Sequence, residues 1–331
     1  MKIIVCSGDS HTCGQGAVGF FGEDSSRAVY HVDGKGFGRY SRFTCESYVE
    51  QVRRFVNGYT GSSSTEVEYD SIAKWYGFDT EFGNAIVDKT LKIRNNADLV
   101  LLLFAEQTTP AEVSIYLDGE LYKTETLYAE KTRFGDYSFR FIPVHCSGVK
   151  DIEVRPTAGK VLLSRIEYHS GEYAVVNAGI GSCTTVRFLN DFFDYCIDAF
   201  SPEIILAEAH TINDWITGCT PDEYEANLRK LLHRMKSVTD KTMMITVAPI
   251  LDPQTINGSK EYIEYINASK AAAEKENVTL IDAHKSFSDM MSNMTADEQF
   301  EKLFSDRWHV NTYGHSIYAD CIIDKLKGAL Q

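Results

Sequence analysis

Lys2-Ile3-Ile4-Val5-Cys6, followed at once by Ser7-Gly8-Asp9-Ser10, decides how this chain folds. A short unbroken apolar run ending in a polar, glycine-bearing turn reads as a strand buried on both faces, with a loop leaving its carboxyl end. A helix over 43–56 follows, with Tyr48, Val49, Val52, Phe55 and Val56 on one face and Asn57-Gly58 as its exit. The same texture resumes after Glu172. Strand readings at 174–177, 203–209, 242–248 and 278–282 there alternate with helix readings at 185–200, 221–238, 260–276 and 312–327. Alternation with connections of this length predicts a parallel sheet covered by helices on both faces, an α/β domain built from residues 1–60 and 172–331.

Between these two parts the pattern changes. Leu91 and Ile93, then Val113, Ile115 and Leu117, then Phe139 and Phe141, then Ile152 and Val154 recur at period two. Asp118-Gly119 sits between two such runs as a tight hairpin turn requires. About six to eight strands with no helix among them predict an inserted antiparallel β-sandwich over residues 61–171.

The bulk numbers agree with two cores, since 331 residues exceed the length over which one core keeps growing. With 44% hydrophobic and 24% charged residues the chain is an ordinary folded protein. Its 33 Lys and Arg against 47 Asp and Glu leave a net charge of −14, which excludes nucleic acid and anionic membrane as natural partners. No apolar stretch reaches membrane length and the first is too short for a secretory leader, so a cytoplasmic location is expected. Eight cysteines at 6, 13, 45, 146, 183, 196, 219 and 321 form no C-x-x-C pair and read as small buried hydrophobes in a reducing compartment. No His-x-x-x-His or carboxylate cluster with ligand spacing occurs, which disfavours metal-dependent hydrolysis. Oligomeric state is left open.

In open parallel sheets ligands collect outside the carboxyl ends of the strands. Three loops there, and the loop before the last helix, carry the suggestive groups. Ser10 leaves the first strand, but a serine hydroxyl is a weak nucleophile until a base takes its proton. Asp306-Arg307-Trp308-His309 supplies such a base, with a carboxylate three residues away to fix its tautomer. An acyl carbonyl under attack needs pre-set donors for its developing oxyanion. Asn177-Ala178-Gly179-Ile180-Gly181-Ser182 offers backbone N–H groups, and Thr211-Ile212-Asn213-Asp214 offers the Asn213 amide.

This ordered set resembles the SGNH, or GDSL, hydrolase family. Ser10 in its Gly-Asp-Ser context matches the first block, Asn213 the third, and Asp306 with His309 the Asp-x-x-His of the last. The likeness covers residues 1–60 and 172–331 and implies a flavodoxin-like three-layer fold and ester hydrolysis through an acyl-enzyme, with no metal or organic cofactor. In that scheme Ser10 attacks, His309 moves the proton and Asp306 orients it. Ser10 N–H, Ser182 N–H and Asn213 form the oxyanion hole. Two positions depart from the pattern: Ser182 stands where the second block has its last glycine, with Gly181 just before it, and Thr211 replaces the glycine of the third block. His11, Gly181 and His210 border the set as candidate substrate contacts, whereas His315 is assigned to packing or solvent.

Gly14-Gln15-Gly16-Ala17-Val18-Gly19 matches the dinucleotide fingerprint by letter, but it begins too far past the strand and leads into no helix. The stretch on to Gly38 reads instead as a flexible loop beside Ser10. No Gly-x-Ser-x-Gly nucleophile elbow is present. The aromatic residues Trp75, Tyr76, Phe78, Phe82, Tyr116, Tyr122 and Tyr128, in and around the sandwich, suit stacking on sugar rings or packing of its core. The expectation is therefore a serine esterase removing acetyl groups from a carbohydrate, its partner a small-molecule or oligosaccharide ester. An acyl-thioesterase or lysophospholipase, and a catalytically silent carbohydrate-binding protein, are the alternatives.

Overall fold

β1 (Lys2–Gly8) buries every residue after Lys2, as expected for a strand covered on both faces. In the computed structural model residues 1–18, 45–57, 85–129, 138–251 and 261–330 are described. They divide into a unit containing β1, 45–57 and the residues from Val175 onward, and a second unit over 85–174. Readings that fall on Gly19 to Gly38, Gly58, Trp75, Tyr76, Phe78 and Phe82 lie outside the described residues.

In the first unit β1 joins β10 (Tyr173–Gly179), β11 (Ile204–Glu208), β12 (Thr242–Ile245) and β13 (Thr279–Ile281) in one sheet, ordered β10-β1-β11-β12-β13. The described pairings are parallel, with Ile4 opposite Ile204, Ile205 opposite Thr242 and Met243 opposite Thr279. Counted along the chain this is the order 2-1-3-4-5, the flavodoxin-like arrangement. Its crevice opens where β1 and β11 lie side by side, because the connections from them run to opposite sides. Ser10 and Asn213 leave these two strands.

The helices of this unit are α1 (Ser10–Cys13), α2 (Tyr48–Val56), α3 (Thr211–Ile216), α4 (Pro221–Val238), α5 (Tyr262–Lys275), α6 (Ala283–Met291), α7 (Ala296–Leu303) and α8 (Thr312–Ala329). Pro221 opens α4 behind a capping box formed by Thr220 and Glu223. Asn311 opens α8 by accepting the Gly314 N–H at 3.0 Å, which fixes where the chain turns after His309. The helix expected over 185–200 is not regular. It passes through a π turn at Phe188–Phe192, and the extra residue lets Phe188, Phe192, Phe193 and Cys196 all face inward. Among the described residues no helix is long and apolar enough to cross a membrane.

The second unit contains two four-stranded sheets. One has the order β2-β9-β4-β7 (Ala85–Val87, Val161–His169, Leu99–Glu106, Ser138–His145), the other β3-β8-β5-β6 (Leu91–Asn95, Lys150–Ala158, Ala111–Leu117, Glu120–Leu127). All described pairings in them are antiparallel. Val100, Leu102, Phe104 and Ile142 from one sheet and Val113, Ile115, Ile152 and Val154 from the other share a single hydrophobic core. Asp118 (φ 51°) and Gly119 (φ 87°) turn β5 into β6, both left-handed as a two-residue hairpin of this type demands. Phe104 is fully buried in the shared core. Phe104→Ala is expected to cost about 3–5 kcal/mol of stability, read as a lower midpoint in denaturant unfolding; a loss under about 1 kcal/mol would mean the core closes over the void.

Candidate active site

Asp9 caps α1, its carboxylate accepting the His11 N–H at 3.0 Å, so Ser10 becomes the first helical residue directly beyond β1. An N–H at that position has no acceptor one turn back and remains free to donate. The other half of the site is folded by Asp306. Its Oδ1 accepts the N–H groups of Trp308 (2.7 Å) and His309 (2.8 Å), closing a turn that swings the imidazole back toward its own carboxylate. His309 Nδ1–H then donates to Asp306 Oδ2 at 2.8 Å, and His309 Nε2 meets Ser10 Oγ at 2.9 Å. With Nδ1 protonated, Nε2 is the free base and the serine hydroxyl is its donor.

Burial alone would raise the Asp306 carboxyl, but the bond and charge of His309 and the two backbone N–H groups outweigh it and hold the group below its ordinary value. Close approach of the two loops depends on Gly16. It adopts φ +98°, and a Cβ there would lie 2.1 Å from the Val310 carbonyl oxygen.

Beneath Ser10 lies a buried polar cluster that the sequence did not single out as functional. Asp9 Oδ2 accepts from Asn213 Nδ2 at 2.6 Å. The Asp9 N–H donates to Glu208 Oε2 at 2.8 Å, and the Thr12 hydroxyl donates to the same oxygen at 3.0 Å. Burial would push Asp9 upward, yet hydrogen bonds and charge from His11 bring it down to about 2. Glu208 moves the other way, raised well above the ordinary value by burial and then by the neighbouring Asp9 charge. The two carboxyls are therefore pushed in opposite directions, Asp9 down and Glu208 up. Asp9, His11 and Glu208 lie within reach of a common cation. Three of the four carboxylate oxygens already face N–H and O–H donors, while Glu208 Oε1 has no hydrogen-bond partner among the described residues.

The Ile180 N–H donates to the Gly8 carbonyl at 2.9 Å, and a Cβ on Gly179 would lie 2.4 Å from the Cys13 nitrogen, so the 177–182 turn rests directly on the Ser10 segment. Ser182 takes φ +44°, the left-handed conformation that the family's glycine would adopt freely. Gly181 is half-buried beside it. Thr211 is anchored in the interior by its bond to the Tyr224 hydroxyl at 2.8 Å. Ser10, Asn213 and His309 each retain 7% exposure, against 1% or less for Asp9, His11, Glu208 and His210. The first three therefore meet solvent and the other four stand behind them. His11 uses its ring internally, with Nδ1 3.3 Å from Asp9 Oδ1 and Nε2–H donating to the Trp308 carbonyl at 3.0 Å. His315 belongs to the packing side of its two expected roles. It accepts the Tyr48 N–H, donates to the Gln15 carbonyl, and is pushed down to about 3, first by burial. Cys6 is likewise inert, its thiol raised by burial to about 12.

Residues 154–317 match the model of the GDSL-like lipase/acylhydrolase family. These residues carry a GDSL-like lipase/acylhydrolase domain. The matched residues include Asn213, Asp306 and His309 but begin far beyond Ser10, which only the fold brings to them. A search of curated proteins gives no match. Similar solved structures include a peptidoglycan O-acetylesterase (11% identity, 99% of this chain and 91% of that one, TM-score 0.48). An acetylxylan esterase from Geobacillus stearothermophilus is 23% identical over 46% of this chain and 71% of its own, with TM-score 0.39. A lipase/acylhydrolase from Enterococcus faecalis is 20% identical over 48% and 77%, with TM-score 0.40.

Asp214 supplies a pH test of the site. It is buried, which raises its carboxyl from 3.8 to about 6 against the lowering effect of two bonds from Thr185. Folding favours its protonated form, so its contribution to stability is complete below pH 4 and is lost as pH rises through 6. The gap between folded and unfolded values corresponds to on the order of 3 kcal/mol. Unfolding free energies of Asp214→Asn and the parent, compared from pH 4 to 7, should therefore diverge in the variant's favour as pH rises; a difference independent of pH would contradict this.

Proposed function

We propose that the protein is a serine esterase that cleaves acyl esters, acetyl esters of a carbohydrate above all, through an acyl-enzyme intermediate. The observation that carries this reading is the contact of Ser10 Oγ with His309 Nε2 at 2.9 Å, backed by Asp306. Ser10 Oγ attacks the ester carbonyl carbon while its proton passes to His309 Nε2. The imidazolium so formed is held by the Asp306 carboxylate. As the tetrahedral intermediate collapses, His309 returns the proton to the departing sugar oxygen and Ser10 keeps the acyl group. Water, deprotonated by the same imidazole, then releases the acid and restores the serine. The oxyanion is met by the N–H groups of Ser10 and Ser182 and by the Asn213 Nδ2 hydrogen not given to Asp9. No metal or organic cofactor enters this scheme.

The second unit belongs, in this reading, to a β-sandwich inserted over 61–171 into the α/β domain of residues 1–60 and 172–331. Tyr122 and Tyr128 support a sugar substrate, since both rings are exposed and offer flat faces for stacking. Tyr116 does not, because the Arg155 guanidinium already covers its ring at 3.7 Å.

Chromogenic acetyl, butyryl and octanoyl esters, together with an acetylated oligosaccharide, test the proposal. kcat/KM should be highest for acetyl, acetate should be released from the sugar, and Ser10→Ala should lower kcat by about a thousandfold or more. Unchanged turnover by Ser10→Ala would overturn it, and a preference for octanoyl would overturn the substrate class.

A further inference from the structure

Two buried polar residues of the loop beyond β11 have no part in the scheme above. His210 lies three residues before Asn213 and Asp214 directly after it, and both reach the chain just after Ser182. His210 Nδ1–H donates to the Cys183 carbonyl at 3.0 Å, its ring held 5.1 Å from that of Phe188. Asp214 Oδ2 accepts the Thr185 N–H at 2.8 Å and the Thr185 hydroxyl at 2.9 Å. The turn they grip is strained, because a left-handed φ at a residue with a side chain costs on the order of 1–2 kcal/mol and persists only where its surroundings hold it. Among the described residues the Ser182 N–H has no acceptor of its own.

We propose that His210 and Asp214 are positioning residues that clamp the Ser182 turn from both ends of Asn213, so that the backbone donor and the amide donor of the oxyanion hole form one rigid unit. This rests on the esterase reading. Capping the helical segment at 185 is not a sufficient role for Asp214, since the Thr184 side chain already caps it by accepting the Arg187 N–H. A single segment thus ties all three donors: Asn213 reaches the Ser10 segment through Asp9, while His210 and Asp214 reach the chain after Ser182 through Cys183 and Thr185. His210, expected as a substrate contact, acts on this account through the turn.

The test compares Asp214→Ala, Asp214→Asn and His210→Phe by acetyl ester kinetics and by inhibition with phenylboronic acid, whose serine adduct carries the oxyanion. Asp214→Ala and His210→Phe should lose about 10- to 100-fold in kcat with KM within about threefold, and the boronate Ki should rise in parallel. Asp214→Asn keeps an acceptor oxygen and should stay within about fivefold of the parent. Lower unfolding midpoints with kcat and Ki unchanged would reduce both residues to structural supports and overturn the proposal. Should Asp214→Ala fail to fold, Thr185→Val removes one bond of the clamp and should lower kcat by about three- to tenfold; no change would again overturn it. Ser10→Ala in the same assay separates the two ideas. If that variant stays active the esterase reading fails, whereas a dead Ser10→Ala beside fully active His210 and Asp214 variants refutes the clamp alone.

Discussion

A single hydrogen bond, from a serine ten residues into the chain to an imidazole 299 positions later, sets what the rest of the structure must achieve. Such a contact is made by two loops, and loops are the softest parts of a fold. Each is therefore fixed by something rigid. β1 and the Asp9 cap fix Ser10, while the Asp306 turn and the Asn311 cap of α8 fix His309. Gly16 lets the two loops touch, because any side chain there would occupy the space of the Val310 carbonyl.

Below that contact the protein buries a cluster of polar and titratable groups, among them Asp9, His11, Thr12 and Glu208. The oxygens of Asp9 receive the His11 and Asn213 donors, and His11 holds its carboxyl below the ordinary range, whereas burial and the neighbouring Asp9 charge push Glu208 up. The result is a stiff polar layer whose members have almost no contact with solvent. Ser10, Asn213 and His309 retain a little exposure above this layer, and Asp306 and Ser182 retain more.

Much of this was legible in the chain. The apolar run ending at Gly8-Asp9-Ser10 announced β1 and its loop, and the parallel sheet followed from the alternation after Glu172. The Asp118-Gly119 turn and the period-two runs around it marked antiparallel strands. β4 escaped that test because Leu99–Glu106 is buried on both faces and does not alternate. The helices α3, α6 and α7 were missed because they are short, although Thr295 and Glu298 spell a capping box at the start of α7. Asp214 was read only as part of the Thr211–Asp214 block, with no role of its own, and Glu208 was overlooked for a different reason. A carboxylate at the end of a strand looks like a solvated side chain until the fold shows it facing inward donors.

The central claim is that His309 makes Ser10 nucleophilic, and its most direct test is covalent capture by a fluorophosphonate, followed by mass spectrometry of the peptide containing Ser10. Stoichiometric labelling of Ser10 is predicted in the parent, with loss of nearly all labelling in His309→Ala and little change in His315→Ala. Labelling at another residue, or equal labelling of Ser10 without the His309 imidazole, would contradict the account.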